Sequence, residues 1–319
     1  MSSNLKLSRI KKFLKRDIWI IDRSELDKRK ARVLKYLKVT LLVIGDVARQ
    51  KIGLRGVALA FFSVMALVPG VAMTFAVTNG FGIDDKLAEL MLVYFSDSED
   101  LVQQIMGYAN NILAATGNGI FGIVTFLSFI WLVFWLMIQV ENAFNYVWKA
   151  EKSRNLWKRV SFYIVFTLLF PLVLIMFMAT VFQFINGDGL VSLLVNIPFW
   201  DKISKFVSWL LIYILTSFVL TLMFKFIPSP KVNLGEAWRA SLVTAFFFCL
   251  FQFLYVAAQV AFNRWNSVFG AVAAIPFLMV WLNISWQIVL YGAELAYAFQ
   301  HVDDNIPAET EADGKLSSD

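Results

Sequence analysis

The chain has 319 residues, 59% hydrophobic and 16% charged, with a formal net charge of +6. That apolar share lies above, and that charged share below, what soluble domains carry, so a soluble globular protein is excluded and lipid is the expected solvent. One cysteine, Cys249, excludes an internal disulfide and a multi-cysteine metal site, and one histidine, His301, leaves too few ligands for metal-dependent hydrolysis.

Residues 1–55 form a basic cytoplasmic or interfacial segment holding 16 of the 29 Lys and Arg. From Lys6 to Asp22 the apolar Leu7, Ile10, Phe13, Leu14 and Ile21 recur near helical spacing, with Lys11, Lys12, Lys15 and Arg16 between them. This is the pattern of a basic amphipathic helix lying on anionic headgroups. A second such segment, Val33 to Val47, has an apolar core too short to span a bilayer before Asp46 and Arg49 interrupt it, so an interfacial helix is predicted there. The first 30 residues lack an uninterrupted apolar run of the signal-peptide kind, and the first span is expected to direct insertion.

Six charge-free intervals follow, each able to hold the roughly 20 apolar residues that cross a hydrocarbon core of about 30 Å. They place spans at about 56–79, 119–140, 161–184, 206–225, 240–262 and 269–298. Apolar runs such as SFYIVFTLLFPLVLIMFMATVF are continuous, where the strands of a porin would alternate. The predicted fold class is therefore all-α, a polytopic bundle of six transmembrane helices with N-terminal interfacial amphipathic helices. Between the first two spans, residues 84–117 offer two short helices, DDKLAELMLVYF and SEDLVQQIMGYANNIL, and residues 300–319 read as a disordered acidic tail.

Sidedness follows from the basic residues, which stay cytoplasmic in short flanking segments. The segment after the first span carries Lys86 against Asp84, Asp85, Glu89, Asp97, Glu99 and Asp100, and should face outward. The connection with Lys149, Lys152, Arg154, Lys158 and Arg159, and the one with Lys225, Lys231 and Arg239, should face the cytoplasm. Six spans then put both termini inside. Positive-inside topology accounts for the basic residues, so no nucleic-acid partner is expected.

Polar side chains at membrane depth carry the most functional information, because a central charge costs roughly 2.5 to 3.5 kcal/mol. Asn283, Gln287 and Glu294 share one face of the last helix, and Gln252 and Gln259 stand seven apart on the fifth. These five are the candidate polar path. Arg55, Glu141, Lys225, Arg239 and Glu294 should lie at similar depth and form a candidate cytoplasmic-boundary charge network. The alternative for all of them is helix–helix glue, worth about 1 kcal/mol or less each. Pro69, Pro171 and Pro276 are candidate kinks, and Gly270, Ala271, Ala273 and Ala274 predict close helix approach. Neither a P-loop nor a nucleophile elbow nor a dinucleotide fingerprint is present, and neither an enzyme nor a cofactor is expected.

The segments GVALAFFSVMALVPG, VENAFNYVW, FKFIPSPKV and FGAVAAIPFLMVWLNISWQIVLYGAELA together resemble the YihY/BrkB family, over about Leu54 to Phe299. The resemblance implies a bacterial inner-membrane protein of six helices, of a family long labelled ribonuclease BN and associated with serum resistance and with lipid or lipopolysaccharide export. A zinc-dependent ribonuclease needs several histidines, so that activity is not expected here. Two functions remain: movement of a lipid or small polar solute across the membrane, or a non-transporting scaffold for envelope or lipid-transfer proteins. Membrane lipids are the expected partners, with anionic headgroups at the basic N-terminal segment, and a homo-oligomer is left open.

Overall fold

The structure, a computed structural model, describes residues 18–21, 26–80, 107, 119–150, 200–263 and 274–302. Among these residues the regular structure is entirely helical: α1 (Ile18–Ile20), α2 (Lys28–Gln50), α3 (Ile52–Gly80), α4 (Gly119–Val147), α5 (Trp200–Phe226), α6 (Leu234–Asn263) and α7 (Ala274–His301). The predicted span 161–184 with Pro171, the outward segment 84–117 apart from Gly107, most of the first amphipathic segment and the tail beyond Val302 lie outside the described residues.

Three helices among the described residues are long and apolar enough to cross a membrane: Trp209–Phe226 in α5, Leu234–Gln259 in α6 and Pro276–His301 in α7. A shorter apolar stretch, Ile52–Ala66, lies in α3. Large apolar side chains stand outward on the bundle, among them Trp131, Phe206, Phe246, Phe253 and Leu254. Water would penalise such a surface, whereas lipid tails are as apolar as these side chains and accept it. The helices run past the charges that bounded the predicted spans. Thus α3 takes Arg55 into its first turn, and α4 continues through Glu141 to Val147. Backbone hydrogen bonding does not stop at the hydrocarbon edge, and long charged side chains reach the headgroup layer from inside a helix.

The last helix is the hub, packing against α2, α3, α4, α5 and α6, while α5 packs on α6 and α3 on α4. Its core-facing residues are small where neighbours come close, with Ala293, Ala296 and Ala298 buried beside Leu290 and Phe299. Two glycines set the closest approaches. A Cβ on Gly56 of α3 would lie 2.7 Å from Gln287 Cγ and 3.3 Å from the Gln287 backbone nitrogen. A Cβ on Gly292 of α7 would strike the Thr244 side chain of α6 and come within 2.7 Å of Phe224 Cζ on α5. Of the small residues predicted to do this, 270–273 lie outside the described residues, and Ala274 opens α7, away from these contacts.

The helix assignment of α3 continues unbroken through Pro69. Pro276 stands in the first turn of α7, where an N–H would have no intrahelical partner and its loss costs nothing.

A single residue, Lys51, joins α2 to α3, with a left-handed φ of 50° and its carbonyl accepting from Leu54 N at 3.0 Å. The segment expected to be interfacial is the middle of the longer α2, because the flanking Lys, Arg and Ala are good helix formers. Tyr36 meets Phe299 edge-on at 5.8 Å, Lys35 pairs with Glu236 at 3.3 Å, and Asp46 pairs with Lys149 at 3.0 Å. In this way α2 crosses one end of α7 and ties it to the start of α6 and the end of α4.

Candidate functional site

The C-terminal third of α7, YGAELAYAFQH, carries a carboxylate into the core: Glu294 is 0% exposed. Among the described residues no donor lies within hydrogen-bond distance of either oxygen, and the side chain it faces is the Asp46 carboxylate, itself an acceptor. Such a group costs several kcal/mol if it stays charged, so its retention needs a reason beyond packing. The charged groups that act on it electrostatically are Asp46 of α2 and Lys149, just past α4.

Lys149 is placed by the way α4 ends. Ala150 N bonds to Asn145 O at 2.9 Å and Lys149 N to Tyr146 O at 3.1 Å, a helix-closing arrangement that puts Lys149 at φ 48°. Glycine is the usual occupant there, and a side chain costs roughly 1–2 kcal/mol. The strain holds the ammonium 3.0 Å from Asp46 Oδ2 and 4.8 Å over the Tyr297 ring. Burial works to lower the Lys149 pKa, but the Asp46 hydrogen bond and the surrounding negative charge outweigh it and leave it raised. Tyr297 stacks on His301 at 4.4 Å and meets Trp148 edge-on at 5.6 Å, and the buried Trp148 indole N–H has no partner among the described residues.

A second polar knot holds the α5–α6 connection to the same end of the bundle. Ser229 N donates to Asn145 Oδ1 at 2.7 Å and Ser229 Oγ to Glu141 Oε1 at 3.4 Å. Gln300 brackets the other side, accepting from Asn233 N at 2.8 Å and donating to Lys231 O at 3.1 Å. The Lys225 ammonium donates to Val232 O. Three of the four sequence segments that carried the family resemblance thus supply these two clusters, with Glu141 and Asn145, Ser229 and Lys231, and Glu294.

Deeper along α7, Gln287 donates to Asn283 at 2.7 Å and meets Tyr291 Oη at 3.5 Å, facing Gly56 of α3. Gln252 and Gln259 lie elsewhere. Trp281 Nε1 of α7 donates to Gln252 at 2.8 Å across the α6–α7 contact. The exposed Gln259 instead donates within α6 to Tyr255 at 3.2 Å, whose own hydroxyl donates to Phe277 O of α7 at 3.1 Å. Of the residues predicted to share one charge network, Arg55 covers the Tyr146 ring at 3.6 Å and Arg239 pairs with Glu236 at 2.9 Å. The charged groups that act on Glu294 instead are Asp46 and Lys149, neither of which sequence reasoning put at a site. The signal available was a lone acid in the apolar run VTLLVIGDV and a lysine directly after VENAFNYVW. Cys249 is a buried free thiol in α6, and no group of three or more His, Cys, Asp or Glu among the described residues could hold a metal.

The family described as Virulence factor BrkB matches residues 43–315, taking in every residue of both polar clusters. The chain belongs to the BrkB family. This BrkB-family chain is similar to a UPF0761 membrane protein of Actinobacillus pleuropneumoniae serotype 5b (strain L20), 24% identical over 241 residues, 73% of this chain and 83% of the relative. A UPF0761 membrane protein of Coxiella burnetii (strain Dugway 5J108-111) is 29% identical over 246 residues, 75% and 84% of the two chains. Another, of Haemophilus influenzae (strain 86-028NP), is 25% identical over 264 residues, 78% and 90%. No solved structure matches. With its apolar helices and these relatives, the BrkB-family chain is a membrane protein.

Proposed function

We propose that this BrkB-family protein is a non-enzymatic lipid carrier of the bacterial inner membrane, with six spans and both termini cytoplasmic. The observation that carries the reading is an apolar groove whose Gly292–Leu295 wall backs onto the buried Glu294 carboxylate. That groove, about 490 Å³, opens between α2, α6 and α7 and is lined by Val43, Phe247, Leu250, Ile288, Tyr291 and Leu295 among others. Its walls accept an acyl chain, and the Asp46–Lys149–Glu294 cluster lies beyond its Val43 and Leu295 side. Leu295 follows Glu294 in the chain, Val43 lies about one turn from Asp46, and Tyr291 links the groove to the Asn283–Gln287 pair. An apolar slot ending in a polar cluster suits an amphiphile better than a small polar solute. The exposed Arg29, Lys30 and Arg32 on α2 stand beside exposed Val33 and Leu37, a face suited to an anionic leaflet.

The test is photo-crosslinking with a phospholipid that carries the reactive group on its acyl chain, in liposomes holding the full chain. Crosslinks should fall on peptides containing Val43, Phe247 and Ile288, and Leu250→Trp should reduce them severalfold. Labelling spread evenly over the lipid-facing helices and indifferent to Leu250→Trp would sink the reading.

A further inference from the structure

We propose that Glu294 is a proton-binding site and that its protonation moves the Lys149 ammonium between Asp46 and Glu294, coupling lipid movement to protons; the coupling clause rests on the carrier reading above. Among the described residues the cluster holds two carboxylates, Asp46 and Glu294, and one ammonium, Lys149. Lys149 already pairs with Asp46 at 3.0 Å, which leaves Glu294 as the unbalanced group. Something must neutralise it, because an isolated charge in a low-dielectric interior is far costlier than a neutral acid.

The space available selects the ligand. Glu294 is 0% exposed, and the nearby groove is lined by its chain neighbours on other faces, Gly292 and Leu295, and not by Glu294 itself. An amine headgroup or a hydrated metal ion needs a cavity at the carboxylate, whereas a proton needs none. The O–H bond forms on a Glu294 oxygen from a water-borne proton and breaks on release, so the step requires no other reactant.

Of the described helices packed on α7, two bring charges to Glu294. From α2 it is Asp46, and from the end of α4 it is Lys149. Charged groups elsewhere on these helices have contacts of their own: Lys35 of α2 pairs with Glu236, Lys38 of α2 donates to Ile21 O, Arg55 of α3 lies over Tyr146, Glu141 of α4 accepts from Ser229, Lys225 of α5 binds Val232 O, and Arg239 of α6 pairs with Glu236. On α7 itself, Tyr297 lies under the Lys149 ammonium, and His301 stacks on Tyr297 with Nδ1 3.1 Å from the Tyr297 carbonyl. Tyr297 is three residues from Glu294 and therefore on the same side of the helix, so the ammonium over its ring also acts on the Glu294 carboxylate. When Glu294 gives up its proton, the second anion competes with Asp46 for Lys149. Asp46 sits on the helix that supplies Val43 to the groove, so loosening its pair loosens one groove wall.

Infrared difference spectroscopy of the full chain in liposomes, stepped through pH, reads the site without any transport assay. The expected result is a protonated buried carboxyl band that disappears on alkaline steps and is absent in Glu294→Gln, with its midpoint moved in Asp46→Asn and in Lys149→Gln. No band removable by Glu294→Gln would overturn the proposal. If Glu294→Gln does not fold, an unmoved midpoint in both other variants would overturn it. A Glu294 band in a protein that moves no lipid would uphold the proton site and sink the carrier reading, so the two fail separately.

Discussion

Gly292 sets the spacing between α7 and two neighbours at once, since a Cβ there would meet both Thr244 and Phe224. Gly292→Val should therefore cost about 1–3 kcal/mol through overpacking, seen as a lower unfolding temperature in detergent. Gly235→Ala is the matched control. Nothing lies within 4 Å of its added Cβ, so it should be neutral or stabilise by up to about 1 kcal/mol. Lys149 gives a pH-dependent prediction. Its folded pKa is raised above the ordinary 10.5, so its contribution is fully present below 10.5 and is lost as pH rises through the higher folded value. Its side chain is 45% exposed, so solvent screens that contribution. The stability difference between the wild type and Lys149→Gln should stay flat from this source through neutral and mildly alkaline pH, then shrink. A difference that grew with alkalinity would contradict the Asp46 pairing. At this scale the sequence made the Asn283–Gln287 face legible, because spacing along one helix fixes it. The Asp46–Lys149 pair joins residues 103 apart through the packing of two elements onto a third, and no local spacing encodes that.

The α5–α6 connection shows how elements rather than single groups build the site. Its backbone amides at Ser229 and Asn233 are satisfied by Asn145 of α4 and Gln300 of α7, so the connection cannot shift without breaking both. Asn145→Ala should cost about 1–3 kcal/mol by leaving Ser229 N unpaired, and amide hydrogen exchange across 227–233 should rise. Unchanged exchange there would mean the clamp does not hold the connection. For α2, the apolar stretch was legible but its partner was not. Amphipathicity says only that one face seeks cover, and Val39 and Leu34 find it on protein while Val33 and Ile44 stay exposed. Arg55, Glu141 and Arg239 stand out in the sequence as charges beside apolar runs, yet depth alone does not tell which of them meet. Side-chain direction around each helix sends Arg55 to Tyr146 and Arg239 to Glu236.

On the scale of the whole molecule, 59% hydrophobic residues announce a membrane protein, and continuous apolar runs announce helices. Composition cannot show that the last helix is the hub, since each apolar helix looks alike until its small residues find neighbours. The proposed architecture gathers an apolar groove, a buried carboxylate and a clamped connection at the end predicted to be cytoplasmic. A single-cysteine labelling series on a Cys249→Ser background should find position 231 reachable from the cytoplasm and position 86 from outside, whereas the reverse would invert the topology. The most direct measurement is transbilayer movement of labelled phospholipid in proteoliposomes, beside an unrelated multi-span protein. Movement well above that protein, lowered at least about tenfold by Glu294→Gln (about 1.4 kcal/mol of barrier) and by Leu250→Trp, is the predicted result. Movement no faster than the unrelated protein, with the full chain folded in the bilayer, would contradict the account.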